Sequence, residues 1–213
     1  MPPSIDRDIT MGLFFLPAGL AALCLALFAT VLSQSVPDIL GTAPPFPGTY
    51  LRHAEAITTT RWVNGETPPA PLLRVCVGWV ALFFAFLLFQ SGSKFRAHDL
   101  LKAAAKAKRS DEKPPSFGAV KYGSAGHKFG TLVGDRTAGN MLEQSIPFLT
   151  GLALHAVLVS VNSAAQLGWL WLLSRLIYPA CFAQGIPMLF VSTVPGYLFI
   201  AMLWQPILTL ALE

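Results

Sequence analysis

Residues 11–32, MGLFFLPAGLAALCLALFATVL, contain no charged side chain. A hydrocarbon core about 30 Å thick is crossed by about 20 apolar residues in helical form. Inside lipid the backbone must satisfy its own polar groups, which leaves helices and closed barrels as the spanning structures. A stretch this long and this apolar therefore predicts a transmembrane helix. The same test finds residues 72–90, with Arg74 near the start where its stem can reach the interface. It also finds residues 145–161, residues 164–182 with Arg175 inside, and residues 186–210. Pro195-Gly196 in the last of these predicts a kink or a displaced start. Five spans in an all-α integral membrane protein is the expectation. Composition agrees: 54% of the 213 residues are hydrophobic and 12% are charged, against about 25% charged in soluble domains.

The placement of charge sets the orientation. Of 15 Lys and Arg, ten lie between Lys94 and Arg136, and none follows Arg175. Basic loops stay on the cytosolic side, so residues 91–139 are assigned to the cytosol, or to the stroma or matrix in an organelle. The amino terminus then shares that side, while the Pro-rich TAPPFPGTY and the carboxyl terminus lie opposite. The net charge of +4 belongs to this loop and reads as a topology signal, with no nucleic-acid partner implied. The flank MPPSIDRDIT holds one Arg against two Asp, and the apolar run after it exceeds the roughly 7–15 residues of a signal-peptide core. Residues 1–70 are accordingly expected to form a retained membrane anchor and a non-cytosolic loop, ahead of a membrane domain at 71–213.

Inside the basic loop, HDLLKAAAKAKRSDEK has good helix propensity. It reads either as a helix lying on an anionic headgroup surface or as a solvated charged helix. GAVKYGSAGHKFGTLVGD is Gly-rich but fits neither G-x-x-x-x-G-K-[ST] nor G-x-G-x-x-G; a flexible linker is expected. Cys24, Cys76 and Cys181 lack metal or disulfide spacing, and no metal site is expected. His155 inside the third span reads as an interhelical hydrogen-bonding group.

The polar residues that demand an account are Arg136, Asn140 and Glu143. Their i, i+4 and i+7 spacing puts them on one helical face just before an apolar run, at the expected membrane surface. Arg175 lies deep in the fourth span, with Tyr178 one turn on. An arginine at a span centre costs about 2.5–3.5 kcal/mol on insertion scales, so it is expected to face protein or a wet cavity, with Glu143 as a reasonable counter-ion. Two readings stand on physics alone. The cluster is a neutralised structural pair with Asn140 as interhelical glue, or it binds an anionic polar ligand whose carboxylates meet the arginines.

RTAGNMLEQSIPFL, followed after a span by SRLIYPACFAQG, resembles the MAPEG superfamily, the membrane-associated proteins in eicosanoid and glutathione metabolism. The shared pattern is Arg-x-x-x-Asn-x-x-Glu, a Pro-Phe-Leu continuation and a later Arg-x-x-Tyr. It falls on Arg136, Asn140, Glu143, Pro147, Arg175 and Tyr178. The resemblance covers about residues 72–210 and is specific over residues 134–185. It implies a four-helix bundle, here with one extra amino-terminal helix, that assembles as a homotrimer and binds glutathione near the cytosolic face. It further implies Arg136, Asn140, Glu143, Arg175 and Tyr178 as ligand contacts, with Tyr178 and Arg136 as the catalytic candidates of a glutathione transferase or peroxidase acting on lipophilic substrates. The endoplasmic reticulum is the location the family implies, with mitochondrial and plastid membranes as alternatives. Two departures matter. Phe182 stands where active members carry a second Tyr, and the arginine that opens their last helix has no counterpart after Arg175. A thiol has a pKa near 8.5 unless a cation or hydrogen bond lowers it. The alternative is therefore a non-catalytic descendant that serves as a structural subunit of a larger membrane complex.

Overall fold

A computed structural model describes residue 19 and residues 22–36, 70–107 and 114–212. Most of residues 11–21 of the first expected span, the Pro-rich stretch, and residues 108–113 of the basic loop lie outside the described residues. The described chain is helical and holds no strand. Helix α1 is described over Ala22–Val36. It is followed by α2 (Ala70–Ala107), α3 (Phe117–Tyr122), a 3-10 turn (Ser124–Phe129), α4 (Thr131–Leu158), α5 (Val161–Leu176), α6 (Tyr178–Ala183) and α7 (Ile186–Leu212).

Among the described residues α2, α4 and α7 are long and apolar enough to cross a membrane. The fourth expected span is divided between α5 and α6. Ile177 stands between them, and Pro179 follows in the first turn of α6, where its missing N–H is tolerated. Two further elements differ from expectation. Helix α4 starts at Thr131, well before the apolar run at Ser145, directly after Gly130 in the left-handed conformation (φ 88°). A hydropathy pattern marks where lipid can be met, whereas a helix ends where its capping chemistry ends. Helix α7 also runs unbroken through Pro195 and Pro206. Transmembrane helices tolerate proline where neighbouring groups satisfy the freed carbonyls.

The chain divides into two compact units. The first contains residues 83–140 and is built on the polar half of α2. Ala97, Leu101 and Val120 form a small buried core, and the ring of Phe95 stacks on Phe117 with centroids 4.9 Å apart. Ser116 caps α3, its Oγ accepting from the Ala119 N–H at 3.3 Å. The Lys94 ammonium meets Asp135 at 2.7 Å and donates to the Lys121 carbonyl at 3.0 Å. Gln90 donates to the same Asp135 carboxylate at 2.7 Å. Gly134 is required here because a Cβ would come within 3.0 Å of the Gln90 Cα. The Gly-rich segment expected to be a linker is thus an ordered helix and turn. Its small residues let backbones approach, a role that composition alone reads as flexibility.

The second unit contains residues 27–82 and 141–213. Helix α5 is its centre: eleven of its 16 residues are buried, against five of 27 in α7. Trp169 is fully buried on α5, its ring edge 2.7 Å from where a Gly78 Cβ would sit. Phe28 of α1 meets the same indole edge-on at 5.7 Å. A third tie is His155, which is fully buried. Its Nδ1 lies 3.0 Å from the Leu203 carbonyl and its Nε2 lies 2.8 Å from Ser163 Oγ, which realises the interhelical role expected for it.

Candidate functional site

Arg136, Asn140 and Glu143 all lie on α4, so the sequence spacing does put them on one helical face. Arg136 and Glu143 are exposed and Asn140 is half-buried. Two turns further on, Phe148 stacks on Trp171 of α5 with centroids 3.8 Å apart and planes 11° from parallel. The helices are antiparallel neighbours at this point. One turn towards the Glu143 end brings Gln144 on α4 level with Arg175 on α5. Gln144 is buried, 3% exposed, whereas Glu143 is turned about 100° away from it and faces outward. Of the two neighbours, the neutral amide is the buried one and the carboxylate the exposed one. The Glu143–Arg175 pairing suggested by the sequence does not form among the described residues.

Arg175 is 1% exposed and is held by a reciprocal arrangement with α7. Its Nη2 donates to the Ser192 carbonyl at 2.6 Å, and its Nε donates to Ser174 Oγ at 3.2 Å. Ser192 Oγ in turn donates to the Ser174 carbonyl, and Ser174 Oγ donates to the Trp171 carbonyl. Pro195 lacks the N–H that would bond the Val191 carbonyl, which loosens α7 where the guanidinium approaches. Gly196 leaves the space: a Cβ there would overlap Arg175 Nη2 and lie 2.8 Å from its Cζ. The guanidinium also sits 5.8 Å from the Trp171 ring and 5.7 Å from that of Tyr178. Tyr178 is 5% exposed and stacks on Phe182 at 5.9 Å. Arg175 and Tyr178 are therefore together, as the sequence reading requires, in the interior of this unit. Ser174, Ser192 and Gly196 complete the arrangement; Pro195-Gly196 was legible only as a kink signal.

The depth of Glu143 follows from a separate contact. Trp79 Nε1 of α2 donates to Ser145 Oγ at 3.2 Å, and Ser145 Oγ donates to the Met141 carbonyl at 2.6 Å. Glu143 is two residues, about 3 Å of helix rise, from that level. On either side of Trp79, α2 presents Val77 and Val80, which are 43% and 44% exposed. The carboxylate therefore lies about level with a part of α2 that carries exposed apolar side chains.

Among the described residues no group of three or more His, Cys, Asp or Glu could hold a metal ion. These features define an all-helical integral membrane protein with a polar face on one long helix, α4, and an arginine-centred network between α5 and α7. Residues 72–209 match the sequence model of the MAPEG family, and the chain belongs to that family. No curated protein and no solved structure matches the chain.

Proposed function

We propose that this MAPEG-family protein binds glutathione, or a related anionic thiol, on the polar face of α4 within an assembly of three copies, and transfers it to lipophilic acceptors. The observation that carries the reading is Glu143, exposed at a level where α2 offers exposed valines. An ionised carboxylate facing hydrocarbon is costly, and intramembrane charges turn towards protein or a wet cavity. A neighbouring copy and a polar ligand supply both. Arg136 on the same face is also exposed, and its planar fork suits a carboxylate bidentately.

In this reading Arg136 takes a carboxylate of the tripeptide, Glu143 accepts from its ammonium and the Asn140 amide bonds its backbone. Tyr178 is the thiol-side group. Its hydroxyl donates to the sulfur, lowers the thiol pKa and, with Arg136, favours the thiolate. That sulfur forms a bond to an electrophilic carbon as the leaving group departs with its electron pair, and the thiol proton passes to water. Arg175, committed to Ser192, holds Tyr178 in place as a positioning residue. The endoplasmic reticulum is the membrane proposed. The lack of any Lys or Arg after Arg175 favours a second reading, a subunit that retains the bundle without turnover.

Calorimetry of glutathione with the purified protein in nanodiscs tests the first reading. Wild type binds, and Arg136→Ala or Glu143→Ala weakens binding at least about tenfold, the loss of one charge-assisted contact. No binding by well-folded protein rejects it. Tyr178→Phe should retain binding and lose conjugation of a chlorinated aromatic acceptor; binding by wild type with no turnover selects the second reading. Native mass spectrometry should give trimers.

A further inference from the structure

We propose that Lys121 and Tyr122, at the end of α3, dock the basic-side unit onto anionic phospholipid headgroups. Tyr122 is 82% exposed, and the ammonium of Lys121, itself exposed, lies 4.9 Å from its ring centroid. No described core residue requires a tyrosine there, and the unit's apolar packing is completed by Val120 on the other side of α3. The level of this pair is set by α2. Its apolar run ends at Gln90, and Lys94 follows after about 6 Å of helix rise. Lys94 holds the Lys121 carbonyl at 3.0 Å, while Gln90 and Lys94 share Asp135. The headgroup layer adds about 5–8 Å on each side of the hydrocarbon. The end of α3 therefore lies at headgroup level, and its other end, with Phe117 against His98, lies further out.

Tyrosine is enriched at this layer because its ring is apolar and its hydroxyl is wet, and lysine beside it contributes charge at a surface that carries the opposite sign. Residues 91–139 hold ten Lys and Arg against four Asp and Glu, so the unit as a whole is attracted to an anionic leaflet. The helix α2 also argues against the flat-lying alternative for HDLLKAAAKA: it continues the span without interruption to Ala107, which carries Lys102 and Lys106 outward, away from the lipid.

The experiment compares full-length protein in phosphatidylcholine nanodiscs with protein in discs containing about 30% phosphatidylglycerol, an anionic fraction of the kind that draws basic segments to a surface. Amide hydrogen exchange of residues 117–122 is the readout. Exchange should slow by about fivefold in the anionic discs, the effect of one cation near such a surface, and the difference should vanish in about 1 M salt. Lys121→Ala/Tyr122→Ala should abolish it. Both side chains are exposed, and the Lys121 carbonyl keeps its bond to Lys94, so an unchanged melting temperature serves as the folding control. Lys102→Ala, further from the bilayer, should leave the difference intact. Equal exchange in the two discs overturns the proposal, as does equal slowing in the double variant. Equal slowing by soluble glycerophosphate in neutral discs would assign the pair to a free phosphate and also overturn it.

Discussion

Replacing Gly196 by alanine should be one of the most damaging single-methyl changes in the membrane domain. The new Cβ overlaps Arg175 Nη2 and lies 2.8 Å from Cζ and 3.2 Å from Nε, all atoms of one rigid planar group. The guanidinium must leave, and with it the bond to the Ser192 carbonyl at 2.6 Å. A hydrogen bond to a charged group contributes about 1.5–3 kcal/mol, and overpacking a filled interior costs about 1–3 kcal/mol. Against these, alanine gains about 1 kcal/mol over glycine in a helix interior. The net loss is about 1.5–5 kcal/mol, which corresponds to about 3–20 °C in a chain of this size. Thermal unfolding in detergent micelles measures it, with Gly139→Ala as the control because its Cβ would meet nothing within 4 Å. The control should melt at or slightly above wild type. Pairing Gly196→Ala with Arg175→Leu should give a clearly non-additive cycle, since both changes remove the same contact. A Gly196→Ala protein that melts with wild type, or a strictly additive cycle, would refute the account of the α5–α7 network.

His155→Leu should destabilise by about 2–4 kcal/mol, because the Ser163 hydroxyl and the Leu203 carbonyl both lose a partner in a dry interior; a shift below about 2 °C in the same melting assay would contradict this. Lys94→Met removes a partly exposed ion pair, so global stability should change by about 1 kcal/mol or less, while amide exchange across residues 117–122 should quicken as α3 loses its tether. Uniform exchange between the two proteins would count against that tether. Burial, and then the Lys102 charge, hold His98 below its ordinary value of 6.5, with Asp99 opposing. The unfolded chain therefore binds the proton first. The contribution of His98 is fully present above about pH 6.5 and is lost as pH falls through the lower folded value, as an imidazole NMR titration would show by a midpoint below 6.5.

The helical stripe of Arg136, Asn140 and Glu143 was legible because side-chain spacing on a helix is fixed by geometry. So were the apolar segments, the basic loop and the resemblance that residues 72–209 bear out. The facing of Glu143 was not, since a step of one residue to Gln144 turns the side chain by about 100°, and only the Phe148–Trp171 stack says which of the two points inward. Nor could the chain reveal that Gly134 is a contact point: the same glycine can serve a loose loop or a close crossing, and the choice lies with the partner strand of backbone. Arg175 was read as needing a counter-charge. Its bonds to Ser192 and Ser174 come from α7 and from its own neighbour, and serine carries no electrostatic signature in a sequence.

The His155 ring also dictates an order of events as the chain is made. A carbonyl only accepts, so Nδ1 carries the proton towards Leu203 and Nε2 receives the proton of Ser163. Helices α4 and α5 are joined by a tight turn at Val159 and Ser160, and their serine–imidazole bond can close as soon as both have left the ribosome. Leu203 is synthesised 48 residues after His155. Until it arrives, the imidazole lacks the carbonyl that α7 supplies. A chain truncated before Leu203 would lack that contact between α4 and α7.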